Sequence, residues 1–368
     1  MASPTTSTSP AVGRLYRPAG QPALIAGWTL AGAGLVAAAG LLVLHGIRHP
    51  WDADFRLYYA VAELGRQAGW PAIYDYGRLR PLQAAIGPGP YWPFANPPPL
   101  AWLALPFSYL PYGLAYGLWT GLFALVLAAA LWLARPAVSP HRLPWLLAAT
   151  IWAYPVLFGI SEGQPVPLLA LGVVLAWRLA GSGRDLAAGA AFGLTLFKPH
   201  LGWLVPIGFL LAGRWRFLAG YLAVALPFAL VSAASVGVEG LRSWYLDAQL
   251  VAVDRPRQVF PGLLPQPWAG LAELASLLVT LGVLWRIRRV ATPARLLAVG
   301  LVGSLLVSPH VNVQDLTLLL VAGWLLWSEL DSRGRTLAGA VYAAVFITPG
   351  TTILVLPAEL LWLAGSAV

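Results

Sequence analysis

The sequence predicts an all-helical protein that crosses a membrane many times, and three observations carry that expectation. First, 59 % of its residues are hydrophobic and the mean hydropathy is +0.72, which leaves too little polar surface to coat a soluble globule of 368 residues. Second, the apolar residues gather in about twelve stretches, several somewhat shorter than a full crossing. Third, the arginines collect in alternate connections between those stretches, as the positive-inside rule requires of a multi-pass chain.

The elements follow in order. Residues 1–21 are rich in Ser, Thr and Pro, carry Arg14 and Arg17, and read as a disordered cytoplasmic tail. The apolar run from Pro22 to Ile47 is longer than a signal-peptide core and close to the roughly 20 residues that span a bilayer, so it reads as an uncleaved first helix. Residues 48–111 then form a long first outer loop, and residues 22–368 as a whole form the transmembrane domain. Further apolar stretches fall at 112–134, 144–160, 164–180, 186–198, 200–213, 217–237, 266–286, 293–308, 316–330, 336–348 and 351–366.

An alternating topology puts Arg14, Arg17, Arg135, Arg142, Arg178, Arg184, Arg214, Arg216, Arg286, Arg288, Arg289, Arg295, Arg333 and Arg335 inside, 14 of the 23 basic residues. That placement accounts for a net charge of +9 without a nucleic-acid partner. The acids do the opposite: only Asp185, Glu329 and Asp331 fall inside, Glu273 and Glu359 lie in apolar stretches, and the rest face out. Carboxylates barely influence insertion, so the outer face reads as the working face. The chain has no cysteine, which excludes disulfides, thiolate nucleophiles and cysteine-ligated zinc. Nothing in the sequence calls for a cofactor, and no metal constellation stands out beyond two neighbouring aspartates.

Those aspartates lie in the outer loop, in HPWDADFRLYY at 49–59. From Asp54 to Gly69 the apolar residues Phe55, Tyr58, Tyr59, Ala62 and Leu64 recur at helical spacing, Arg56, Glu63 and Arg66 take the other face, and Gly69 is placed to stop the helix. Such a helix lies flat at the membrane interface. A second one is expected from Asp75 to Ala85. The proline-rich run after Gly87 forbids a continuous helix and reads as extended chain leading to a short half-helix before residue 112. Asp52 and Asp54 have three readings: helix capping, a D-x-D metal site, or a carboxylate held at the outer surface as a general base. The metal reading needs a soluble nucleotide-binding domain that this chain has no room for.

Several runs together resemble glycosyltransferase family 87, formerly a domain of unknown function: D-F-x-x-Y-Y at 54–59, GWPAIYD at 69–75, ANPPPLAWLALPFSYLP, FKPHLGWLVPIGFLLAGRWR around Lys198, and SPHVNVQD at 308–315. The resemblance covers about residues 50–330. It implies the GT-C membrane fold and transfer of one sugar, usually mannose, from a polyprenyl-phosphate donor to a hydroxyl of a glycan or glycolipid, with inversion, at the outer face of a bacterial plasma membrane. It places the catalytic acid on Asp54, with Asp52 as the nearby alternative. A phosphodiester with an isoprenoid tail must be gripped at the interface, and Lys198, His200, Arg56 and His310 are the candidates for that phosphate. Lys198 is the single lysine of the chain, and Pro199 beside it breaks an apolar stretch so that two half-helices meet. Asp315, Glu162, Tyr58 and Tyr59 are candidates for sugar or acceptor hydroxyls, with Gln164 a weaker one, and Arg242, Arg255 and Arg257 mark the outer loop 238–265 as an acceptor surface. The competing class is a transporter or lipid-sugar flippase, which should show an internal repeat and ionisable groups near the bilayer midplane; the sequence shows neither.

Overall fold

A computed structural model describes residues 20–48, 51, 53–254 and 260–343. The N-terminal tail, Asp52, Arg255, Arg257 and the last apolar stretch with Glu359 lie outside the described residues. The described part is all-helical, without a strand.

Helix α1 (Gln21–Arg48) precedes a crown built from α2 (Phe55–Ala68), α3 (Tyr76–Ile86) and α4 (Pro98–Ala104). The bundle follows: α5 (Tyr112–Ala134), α6 (Leu143–Ile151), α7 (Tyr154–Ser161), α8 (Val166–Gly181), α9 (Asp185–Phe192), α10 (Leu204–Leu211), α11 (Trp215–Asp254), α12 (Trp268–Ile287), α13 (Pro293–Leu306), α14 (Thr317–Leu326) and α15 (Ser332–Tyr342).

Four helices are long and apolar enough to cross a membrane, α1, α5, α11 and α12, and α6 with α7 makes a fifth if the pair, bent by 54°, is one span. These long helices leave apolar side chains such as Leu35, Val36, Leu125 and Leu278 uncovered, as a lipid-facing surface requires. The shorter helices α8, α13 and α14 are instead covered by their neighbours. Of the about twelve apolar stretches, then, four or five are long enough to cross and the others form shorter helices: hydropathy does not separate a helix facing lipid from one inside the bundle. In α13 every residue from Leu296 to Leu306 is buried.

Two apolar cores result. One fills the bundle among α8, α10, α13 and α14, and the other joins α2, α4 and the start of α5 around Phe55, Phe94, Trp119 and Phe123. The crown is thus packed protein. The first helix starts one residue later than its sequence pattern predicts, at Phe55, and ends where expected, at Gly69, whose φ of 87° is accessible to glycine. It does not present a broad apolar face to lipid: Leu57, Tyr58, Val61 and Leu64 are all buried in the crown core.

The expected loop 238–265 is also revised. Helix α11 continues to Asp254, broken once at Gly237, where φ is 66°. Its upper part, 238–254, lies against the crown: the Trp244 indole donates to the carbonyl of Ala95 at 2.9 Å.

Candidate active site

At the crown end of the bundle a cavity of about 450 Å³ is lined by Asp54, Tyr58, Asn96, Gln164, Lys198, His200, Trp244, Tyr245, His310 and Asn312, among others. Residues far apart in sequence arrive there for local reasons.

Asp54 stands immediately before α2, yet its side chain makes no capping hydrogen bond. Its neighbours come from the turn between α7 and α8. The Asp54 N–H donates to Glu162 Oε2 at 3.0 Å, the Phe55 N–H donates to the Glu162 carbonyl at 2.9 Å, and the Gln164 amide donates to the Asp54 carboxylate. Gly163 makes this turn possible. Its φ is 69°, and a Cβ there would stand 2.8 Å from the Phe55 Cβ. Two aromatic side chains of α5 fix the turn from beneath: Trp119 donates to the Gly163 carbonyl and Tyr116 to the Ser161 carbonyl, each at 2.7 Å. The capping reading of Asp54 therefore gives way to a carboxylate held from another segment. Asp54 also borders a smaller pocket of about 170 Å³, with Arg56, Gln83 and Glu162 in its lining.

Lys198 occupies the break between two half-helices, as the proline beside it predicts, with φ −142° and ψ 73°. It is 5 % exposed, and its ammonium meets Asp315, wholly buried, at 2.7 Å. Asp315 also accepts from the Asn312 N–H at 2.9 Å, closing a capping box at the turn before α14. Asp315 is not among the residues lining the cavity; it fixes and neutralises Lys198. One turn on, the His200 Nε2 is enclosed and has no hydrogen-bond partner among the described residues. Burial pushes its pKa down to about 4, an effect that the charge of Asp315 opposes and those of Lys198 and His310 reinforce. His310 Nε2 lies 3.2 Å from the Asn312 amide nitrogen.

The structure therefore brings Asp54, Tyr58, Lys198, His200 and His310 to one cavity, with Glu162 and Asp315 directly behind Asp54 and Lys198. Arg56 and Tyr59 are placed elsewhere. Arg56, 4 % exposed, donates to the carbonyls of Gly87, Pro88 and Pro90 at 3.0, 2.9 and 2.5 Å, so it clamps the proline-rich strap instead of pairing with Asp54. Tyr59 donates to the Leu110 carbonyl at 2.8 Å and packs edge-on against Tyr112. Among the described residues no three His, Asp or Glu side chains converge as metal ligands. Asn96, Asn312, Trp244 and Tyr245 escaped the sequence reading. Only the adjacent pair of aromatics carried a signal, in a segment read as loop.

The fold and this cavity define a multi-pass helical membrane protein with a polar, carboxylate-bearing pocket at one end of its bundle. Residues 94–309 match the model of glycosyltransferase family 87, more than half of the chain, and the protein belongs to that family. It is a membrane glycosyltransferase. The matched segment contains Glu162, Gln164, Lys198 and His200 and begins after Asp54. No curated protein and no solved structure matches the chain.

Proposed function

We propose that this enzyme, with a GT-C architecture, transfers a hexose, mannose by its resemblance, from a polyprenyl-phosphate donor to a hydroxyl of a glycan or glycolipid, on the outer face of the bacterial plasma membrane and with inversion. The observation that carries the reading is the pairing within one cavity of an oriented carboxylate, Asp54, with the nitrogen-bearing side chains of Lys198, His200 and His310. The acceptor oxygen attacks the anomeric carbon while its proton passes to Asp54. The bond from that carbon to the phosphate oxygen breaks, and the electron pair leaves with the polyprenyl phosphate. The ammonium of Lys198 and the imidazoles of His200 and His310 stabilise the charge that develops on the leaving phosphate. Tyr58 and Asn96 offer polar contacts to the sugar. The lipid bilayer holds the isoprenoid tail, and the arginine asymmetry supports an inward N-terminus.

The test is sugar transfer by purified protein in detergent, with polyprenyl-phosphate mannose as donor and a mixed extract of envelope glycans and glycolipids as acceptor. Wild type is expected to transfer and Asp54→Asn to fall by about 10²- to 10⁴-fold, the usual scale for loss of a general base. Full transfer by Asp54→Asn, with its fold intact, overturns the assignment of the base.

A further inference from the structure

A second cavity, of about 530 Å³, opens on another face of the upper part of α11. Glu239, Ser243 and Asp247 line one side at a spacing of four residues, so they lie along one stripe of the helix; Asp75, Tyr76 and Arg78 form the opposite wall. Arg78 is committed to Asp75, its Nε 3.1 Å from Oδ2, which leaves the charges of Glu239 and Asp247 to set the sign of the groove. Asp247 is only 7 % exposed, and its Oδ2 has no hydrogen-bond partner among the described residues. A buried carboxylate oxygen without a donor is unfavourable, so this lining favours a ligand that brings one.

The chemistry of that ligand follows from the walls. Two carboxylates with no ion-pair partner among the described residues repel phosphates, sulfates and uronic acids, and accept hydrogen bonds from neighbouring hydroxyls. Tyr76 supplies an aromatic ring, with its hydroxyl donated to the Tyr91 carbonyl at 2.8 Å. The volume lies within the range of small-ligand sites, about 300–1,000 Å³, and is too polar for a lipid tail. Position matters as much. Ser243 faces the groove while its neighbour Trp244 faces the reaction cavity, and the Tyr74 hydroxyl reaches across to the carbonyl of Asn96, which lines that cavity. The two spaces share α11, and Tyr74 and Tyr76 of the groove bond to the backbone of the strap whose Asn96 lines the cavity.

We propose that this groove binds a neutral oligosaccharide, as the subsite for acceptor units that do not react, so that the enzyme extends a glycan of several sugars. The inference rests on the glycosyltransfer reading given above and assigns its acceptor class.

The experiment is calorimetric titration of the full chain in nanodiscs with mannotriose, maltotriose and N-acetylchitotriose, with a trigalacturonate as the acidic control. At least one neutral trisaccharide is expected to bind and the acidic one not to. Asp247→Asn and a groove-filling Ser243→Phe should each weaken binding at least tenfold, whereas Asp54→Asn should keep it. In transfer assays Asp247→Asn should raise the KM of an oligosaccharide acceptor by a similar factor. The proposal is overturned if no neutral trisaccharide binds, if both groove variants bind as wild type does, or if calcium alone produces the signal and displaces the sugar. Because binding is read separately from transfer, the two ideas fail separately. Sugar binding without transfer from the lipid donor would sink the reaction assigned above, and transfer without groove binding would sink only this inference.

Discussion

Gln164 lies 110 residues from Asp54 in sequence and holds its carboxylate in space. Removing that amide should leave the base present but badly aimed: Gln164→Ala is expected to lower kcat by roughly 10- to 100-fold with little change in donor KM, since misplacing a reacting group by about 1 Å can cost a hundredfold. An unchanged kcat in steady-state kinetics would remove Gln164 from the machinery. The pair of Lys198 with Asp315 makes a different forecast. Lys198→Ala strands a buried carboxylate and should destabilise the fold by about 3–5 kcal/mol, and replacing both partners by apolar residues should recover much of that, as chemical unfolding would report. His200 adds a pH dependence. Its folded pKa, about 4, lies below the value of about 6.5 in an unfolded chain, so between those values the unfolded state binds the extra proton. Stability should therefore fall as pH drops from about 6.5 to 4 and level off below. His200→Gln should flatten that slope in a thermal-shift series, and an identical slope in the variant would contradict it. At this scale Lys198 and His310 stood out because each lies at a break between apolar stretches, and Asp54 because it opens a run in the first outer loop that resembles the family. The sequence did not expose the clamp made by Arg56, because the carbonyls that receive it belong to no side chain and leave no pattern.

Helix α9 and helix α11 meet through two glycines. A Cβ on Gly189 would stand 1.9 Å from the Phe217 carbonyl oxygen, and one on Gly220 the same distance from that of Leu186. Backbones approach this closely only without side chains, a familiar device where helices associate in lipid. Gly189→Ala or Gly220→Ala should thus prevent assembly of a stable bundle, seen as loss of a monodisperse peak in detergent. Gly117→Ala on α5, with open space around it, should be neutral or slightly stabilising. Element boundaries were largely legible: the half-helices flanking Pro199, the helix stop at Gly69 and the start of α5 at Tyr112 all follow from proline, glycine and apolar spacing. What composition could not convey was environment. An apolar stretch of 14 residues such as α13 satisfies a hydropathy criterion equally well inside a bundle and against lipid. The upper half of α11 read as loop because Glu239, Arg242 and Asp247 break its apolar run, while its helical face becomes visible only once Trp244 is seen against the crown.

The whole molecule divides into a lipid-facing bundle and a packed crown, and the arginine asymmetry predicts how it sits. Since the chain has no native cysteine, single replacements read its orientation directly. In intact cells an impermeant maleimide should label Gln67→Cys on the crown, and Ser182→Cys at the opposite end only after lysis; the reverse pattern would invert the topology. The cavity itself was legible in part, because three quoted runs around Asp54, Lys198 and His310 converge on it. The groove behind it was not, because its acids are spaced as on any solvated helix. Helix α11 links these levels. The part before its break at Gly237, residues 215–236, rises about 33 Å, close to the hydrocarbon thickness of about 30 Å, and the part after it walls the candidate cavity. A bilayer that is too thick or too thin is accommodated by helix tilt, and tilt below Gly237 is expected to move Trp244 and Tyr245, which line the cavity above it. Acyl-chain length is thereby a setting of the catalyst: turnover in vesicles should peak at one lipid length and decline on both sides, as though the membrane were tuning a lever.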